Sequence, residues 1–246
     1  MRKLFLCVIG FWLVAAQAAE SGQGMQGEKI TLQTSIGTYL EGYVAGPEDA
    51  ELGILILHDR WGLNQTVRDW VHRFADRGYR ALAIDVFDGR ISDEHWLATE
   101  IMQATDPEWV KVDVQAGLDY LARQGRKLAT LGAGFGGWQA FQAVIGAPER
   151  VDATVVIYGL LEADVEQVRA LNAPVMTVYA RDDEQITPAQ READRLLLKK
   201  SLITHRAYAF PGGHGYMDPM HSAYDPQATQ DTWTQVDEFL RSFIEG

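Results

Sequence analysis

The sequence predicts an α/β fold in three layers, a mostly parallel central sheet covered by helices on both faces. Two patterns carry this. Short continuous apolar runs such as Leu52–Leu57 (LGILIL) have the character of strands buried on both faces. Such runs alternate along the chain with segments of helical periodicity. Length supports it: 246 residues, 47% of them apolar and 23% charged, suffice for one sizeable core.

The elements follow in order. Lys29–Thr34 and Thr38–Val44 read as two strands of a hairpin around Ser35-Ile36-Gly37, and Leu52–Leu57 as the first buried strand. Asn64–Gly78 places Val67, Trp70, Val71 and Phe74 on one helical face and stops at a glycine. Ala81–Val86 is a strand. Pro107, suited to a first helical turn, opens a helix with Val110, Val114, Leu118 and Leu121 on one face, closing near Gly125. Leu128–Leu131 is a strand, Phe135–Ile145 a helix, and Ala153–Tyr158 and Pro174–Tyr179 are strands. Pro188–Lys200 is a helix, His205–Phe210 the last strand and Gln227–Phe243 the last helix. No repeat, low-complexity block or linker divides residues 29–246, so a single domain is expected there.

Residues 1–18 read as a cleavable signal peptide. Arg2 and Lys3 form a basic start, Leu4–Ala16 is an apolar run, and Ala16-Gln17-Ala18 is a small-x-small cleavage site. The run is shorter than the ~20 residues a spanning helix needs, so a secreted or periplasmic protein without stable membrane association is expected. Residues 19–28 are a flexible lead-in. Cleavage removes the only cysteine, Cys7, and two cations, taking the net charge from −12 to −14. That balance disfavours nucleic acid as a partner. Neither a metal nor another cofactor is expected: Asp59, Asp85 and Asp88 lack ligand spacing.

Three features carry chemistry. The first is Gly132-Ala133-Gly134-Phe135-Gly136-Gly137, which joins a strand to a helix. A G-x-nucleophile-x-G turn at that place is the nucleophile elbow of the α/β-hydrolase fold. It would set the nucleophile at a helix N-terminus, where developing negative charge is favoured. Here the centre is Gly134, which has no side chain. A dinucleotide loop fits poorly, because the spacing is G-x-G-x-G-G and no acidic partner ends a strand ~20 residues on.

The second feature is His214, held in Pro211-Gly212-Gly213-His214-Gly215-Tyr216 after the last strand and placed as a general base. His58, at the end of the first buried strand, is the next candidate. His72 and His95 read as surface positions on helices, and His205 and His221 lack supporting context. The third feature is the acidic loop Arg181-Asp182-Asp183-Glu184 before Pro188. An Asp there can hold a histidine tautomer, Asp183 by spacing and Asp182 as runner-up. The competing reading is an acidic loop leading into a helix.

Five stretches together resemble the dienelactone hydrolase family of α/β-hydrolases: Leu55–Asn64, Ala75–Phe87, Gly132–Gly137, Ala180–Pro188 and Phe210–Tyr216. The resemblance implies hydrolysis of small-molecule esters or lactones by a Cys, Asp, His triad with a nearby acidic residue. Those places fall on Gly134, Asp183, His214 and Asp59. It implies an oxyanion hole from the N–H groups of Phe135 and Arg60, and substrate contacts from Trp61, Arg90 and Tyr216. Two departures are visible. No cysteine follows the leader and none of Ser21, Ser35, Ser92, Ser201, Ser222 and Ser242 sits in an elbow; Asp59 is one methylene shorter than the family's usual Glu. Met217 and Asp218 also stand where a second substrate-binding arginine would be expected, which leaves a dienelactone substrate without support. Two functions are compatible with these residues: slow hydrolysis by a His214-activated water, or a non-catalytic pseudoenzyme that binds a small ligand or partner.

Overall fold

A computed structural model describes residues 27–244, with side chains to residue 242. The leader and most of the lead-in lie outside the described residues.

An antiparallel hairpin, β1 (Glu28–Gln33) and β2 (Tyr39–Ala45), starts the fold. Then come β3 (Leu52–Leu57), α1 (Gln65–Ala75), β4 (Arg80–Ile84), α2 (His95–Ala104), α3 (Pro107–Ala122), β5 (Lys127–Ala133), α4 (Phe135–Gly146) and β6 (Ala153–Ile157). The chain ends with α5 (Val165–Arg169), β7 (Val175–Ala180), α6 (Pro188–Ser201), β8 (His205–Phe210) and α7 (Pro226–Ile244). One eight-stranded sheet results, in the order β1-β2-β4-β3-β5-β6-β7-β8. β2 pairs antiparallel with β4, and every pair from β4 to β8 is parallel. This is the mostly parallel, three-layered α/β architecture that the alternating pattern predicts, and its strand order agrees with the α/β-hydrolase fold that the resemblance implies.

Burial explains why β3 shows no polar alternation. All six of its residues are buried. Ile54 and Ile56 pack with Val71, Phe74, Trp233 and Val236 on one face; Leu55 and Leu57 pack with Val114, Leu118, Phe141 and Val144 on the other. Parallel strands covered on both sides have no solvent face to signal by period. Truncating one of these side chains to Ala costs about 2–5 kcal/mol.

Most sequence-predicted boundaries lie within a few residues of the observed ones. Asn64 accepts from the Val67 N–H as the N-cap of α1, and Asp106 from the Glu108 N–H at the start of α3. Two short helices are additional. Glu94, the N-cap of α2, makes no side-chain cap bond, so this helix carries no start signal. α5 has only five residues, yet its capping box between Asp164 and Gln167 was a readable cue.

Candidate active site

In an open parallel sheet, ligands bind beyond the carboxyl ends of the strands. There the loops after β3, β5, β6, β7 and β8 bring Asp59, Gly134, Tyr158, Asp183 and His214 together. Gly134 N donates to Ile157 O at 2.9 Å, tying the turn after β5 to the end of β6.

The turn itself is sterically dictated. Gly134 has φ 55° and ψ −120°, a left-handed conformation that side chains disfavour. A Cβ on Gly136 would run into Leu57 O and come within 2.6 Å of His58 O. The glycines therefore let the first turn of α4 approach the end of β3 without strain at either backbone.

His214 and Asp183 meet across 31 residues of sequence, with Nδ1···Oδ2 3.0 Å. A carboxylate only accepts, so Nδ1 carries the proton and Nε2 presents its lone pair. That Nε2 is buried and has no hydrogen-bond partner. The Asp183 side chain is 1% exposed. Burial alone would raise its carboxyl, but hydrogen bonds from His214, Ile186 N and Gln185 N hold it below the ordinary range. Thr187, not Asp183, caps α6, in a capping box with Gln190, which removes the helix-start explanation of this Asp. Asp182 instead points its carboxylate toward Gly212 N, at 3.4 Å, and makes no bond to His214.

Asp59 takes an unexpected position. Its Oδ1 accepts from Arg60 N at 2.7 Å and from Phe135 N at 3.0 Å. These are the two N–H groups that the family resemblance assigns to a substrate oxyanion, and in this structure they hold the protein's own carboxylate. The cause is local: a Cβ on Gly134 would contact Asp59 Oδ1 and lie 2.6 Å from its Cγ and Oδ2. With glycine there, the carboxylate folds into the room a side chain would use.

Other assignments also change. Tyr216 is wholly buried and shares a hydrogen bond with Thr232 Oγ1, so it is a core residue and not a substrate contact. Arg90 folds back onto Phe87 O at 2.7 Å and does not line the His214 cavity. Trp61 lines neighbouring clefts with Asn64, Thr66 and Asp218. His58 is locked: Nδ1 donates to Asp59 O at 2.8 Å and Nε2 accepts from Val86 N at 3.2 Å. Burial keeps it below the ordinary histidine range and hence neutral, despite Asp85 3.8 Å away.

A cavity of about 340 Å³ opens beside Gly134, Phe135 and His214, with Trp138, Tyr158 and Gln185 also on its wall. Arg60 Nη2 donates to Gln185 Oε1 at 2.5 Å, joining the loops after β3 and β7 at its rim. Two of these residues escaped sequence reasoning. Tyr158 has φ 34° and sets its ring 4.9 Å from that of His214; its place at the end of a buried strand was the available signal. Trp138 has a buried indole N–H without a partner and followed only as part of a helix.

Fold, strand-end location and the histidine–carboxylate pair define an α/β-hydrolase. The profile of the Dienelactone hydrolase family matches residues 40–244, and the chain belongs to that family. A "Putative carboxymethylenebutenolidase" of Saccharolobus solfataricus is 26% identical, covering 87% of this chain and 98% of that one. The protein usf of Aquifex pyrophilus is 24% identical, covering 85% and 95%. A dienelactone hydrolase-like promiscuous phosphotriesterase from metagenomic libraries superposes with TM-score 0.80 at 21% identity, over 89% of this chain and 99% of that chain. A dienelactone hydrolase from Anabaena variabilis gives TM-score 0.69 at 17%, over 89% and 99%. At those identities the two structures speak for the fold.

Proposed function

We propose that this chain is an exported hydrolase of small-molecule esters or lactones, weakened because Gly134 stands at the nucleophile position. The observation that carries it is the His214–Asp183 bond of 3.0 Å with Nε2 buried, unpartnered and beside Gly134. Nε2 takes a proton from water and the resulting hydroxide adds to the acyl carbon; Asp183 stabilises the imidazolium, and collapse of the tetrahedral intermediate breaks the acyl C–O bond as the departing alkoxide takes the proton back from Nε2. The oxyanion would need the N–H groups of Phe135 and Arg60, for which the Asp59 carboxylate competes. That competition, together with the missing nucleophile, keeps turnover slow. The same occupied hole favours a second reading, a pseudoenzyme that binds a small ligand without turning it over.

Initial rates on p-nitrophenyl acetate and γ-butyrolactone decide between them. Replacing His214 by Ala should lower the wild-type rate by ~10²-fold or more. Equal rates for wild type and His214→Ala would leave the pseudoenzyme reading. Export rests on the order Arg2-Lys3, Leu4–Ala16, Ala16-Gln17-Ala18. N-terminal sequencing of the expressed protein should begin at Ala19; retention of Met1 in the mature product argues against cleavage.

A further inference from the structure

We propose that the cleft around Trp61 is a carbohydrate-binding site, and that its ligand is a neutral, β-linked pyranose oligosaccharide with equatorial hydroxyls. The cleft is separate from the His214 cavity, and the proposal stands whether or not His214 turns over esters.

The cleft has a volume of about 690 Å³ and lies between the loop after β3, the starts of α1 and α2, and the loop after β8. That is within the ~300–1,000 Å³ of small-molecule sites. Trp61 stands half-buried on its wall, with the rings of His95 and His221 6.3 and 6.2 Å from its own. Among the described residues no lysine or arginine lines the cleft, whereas Asp93 and Asp218 do. A phosphate or carboxylate would meet like charge there without a counter-ion. A cation would have to share Trp61 with Arg60, whose guanidinium already stands 5.8 Å from the ring centroid. A neutral ligand meets neither obstacle.

The polar groups of the wall come as donors and acceptors together. His221 Nδ1 accepts from Ala223 N at 3.1 Å, so the ring proton sits on Nε2 and can be donated. Burial holds this ring below the ordinary histidine range and hence neutral. Asn64 Oδ1 is taken by Val67 N, which leaves the amide NH₂ to donate. Gln65 gives its NH₂ to Asp69 at 2.7 Å, which leaves Oε1 to accept. Asp218 Oδ1 accepts from Thr66 Oγ1 at 3.0 Å and Met220 N at 2.9 Å, which leaves Oδ2 to accept. A hydroxyl both donates and accepts, so a ligand carrying several of them satisfies this mixture, while a simple anion or cation satisfies only half of it. A pyranose joins such hydroxyls to an apolar face of C–H bonds. With the hydroxyls equatorial, they form the rim of the ring and the axial C–H bonds are left to pack on the indole.

Cellotriose and xylotriose are the probes, titrated into the purified protein by isothermal calorimetry. At least one should bind saturably. Trp61→Ala should weaken that binding by about tenfold or more, and Trp61→Phe, which keeps a flat ring, by less. Saturation-transfer NMR gives a readout without any variant: irradiating the aromatic protons should saturate the axial protons of the bound sugar most strongly. No saturable heat from either sugar, binding of choline or inorganic phosphate in their place, or equal affinity in Trp61→Ala would each overturn the proposal. Ester turnover is measured separately on the same preparations. A protein that binds sugar and hydrolyses no ester keeps this site and loses the proposed ester hydrolysis; one that hydrolyses esters and ignores both sugars loses this site alone.

Discussion

Two carboxylates at the ends of β3 and β7 are held alike and used differently. Asp183 and Asp59 each fix Oδ1 with two backbone N–H groups, Gln185 and Ile186 for one and Arg60 and Phe135 for the other. In Asp183 both N–H groups come from its own loop, within three residues, and Oδ2 is committed to His214. In Asp59 one N–H comes from 76 residues away, at the start of α4, and the other oxygen is left outside that clamp. A locally closed carboxylate is a fixture that orients a base. One closed by a distant turn depends on what that turn contains, here a glycine.

The largest effect is expected at Asp183. Asp183→Asn keeps an Oδ1 acceptor but removes the carboxylate that holds the Nδ1 proton, so the ester rate should fall by about 10²-fold, as far as removal of His214 itself lowers it. Stopped or steady-state kinetics on p-nitrophenyl acetate measure it, and a loss below tenfold would deny Asp183 its orienting part. Asp59→Ala acts with the opposite sign on the same substrate. It empties the pair of N–H groups for the substrate oxyanion, and the ester rate should rise by about tenfold or more, since one such donor is worth ~10²-fold. A fall in ester rate would show that Asp59 assists acyl chemistry.

Stability tests the contrast at smaller scale. Gly134→Ala puts a side chain at φ 55° and against the Asp59 carboxylate, and should cost about 1–3 kcal/mol in urea unfolding. An unchanged midpoint would mean that Asp59 is loosely seated. The smallest effect is at Asp194, a buried carboxyl outside the site that accepts from Tyr179 Oη at 2.9 Å. Burial raises it to about 6, while the unfolded chain titrates at the ordinary value. The folded state therefore binds the proton more tightly, and this group's contribution is lost as pH rises through about 6. Asp183 is opposite: held low, its contribution is present above the ordinary carboxyl range and lost only as strongly acidic pH is reached. Asp194→Asn should flatten the decline in melting temperature between pH 4 and about 7. A slope identical to wild type would place the burdened carboxyl elsewhere, with Asp113, also raised to about 6, the next to replace.

Sequence by itself determined the alternation of strands and helices, the doubly buried strands, and the glycine turn after β5, because these follow from local periodicity, propensity and steric need. It also singled out His214 and Asp183, since each sits just past a strand whose end a parallel sheet directs to one edge. Tertiary structure alone decided what the groups do to one another. Tyr216 is two residues from His214, yet the loop turns it into the core against Thr232. Arg90 is drawn back to Phe87 O, away from the cavity. The destination of the Asp59 carboxylate depends on the missing Cβ of Gly134 and on an N–H from α4, and neither lies near it in the chain. A single sequence records which groups are available; whether a pair of N–H groups stands open or holds the protein's own carboxylate is settled by distances of a few ångströms between loops from different strands.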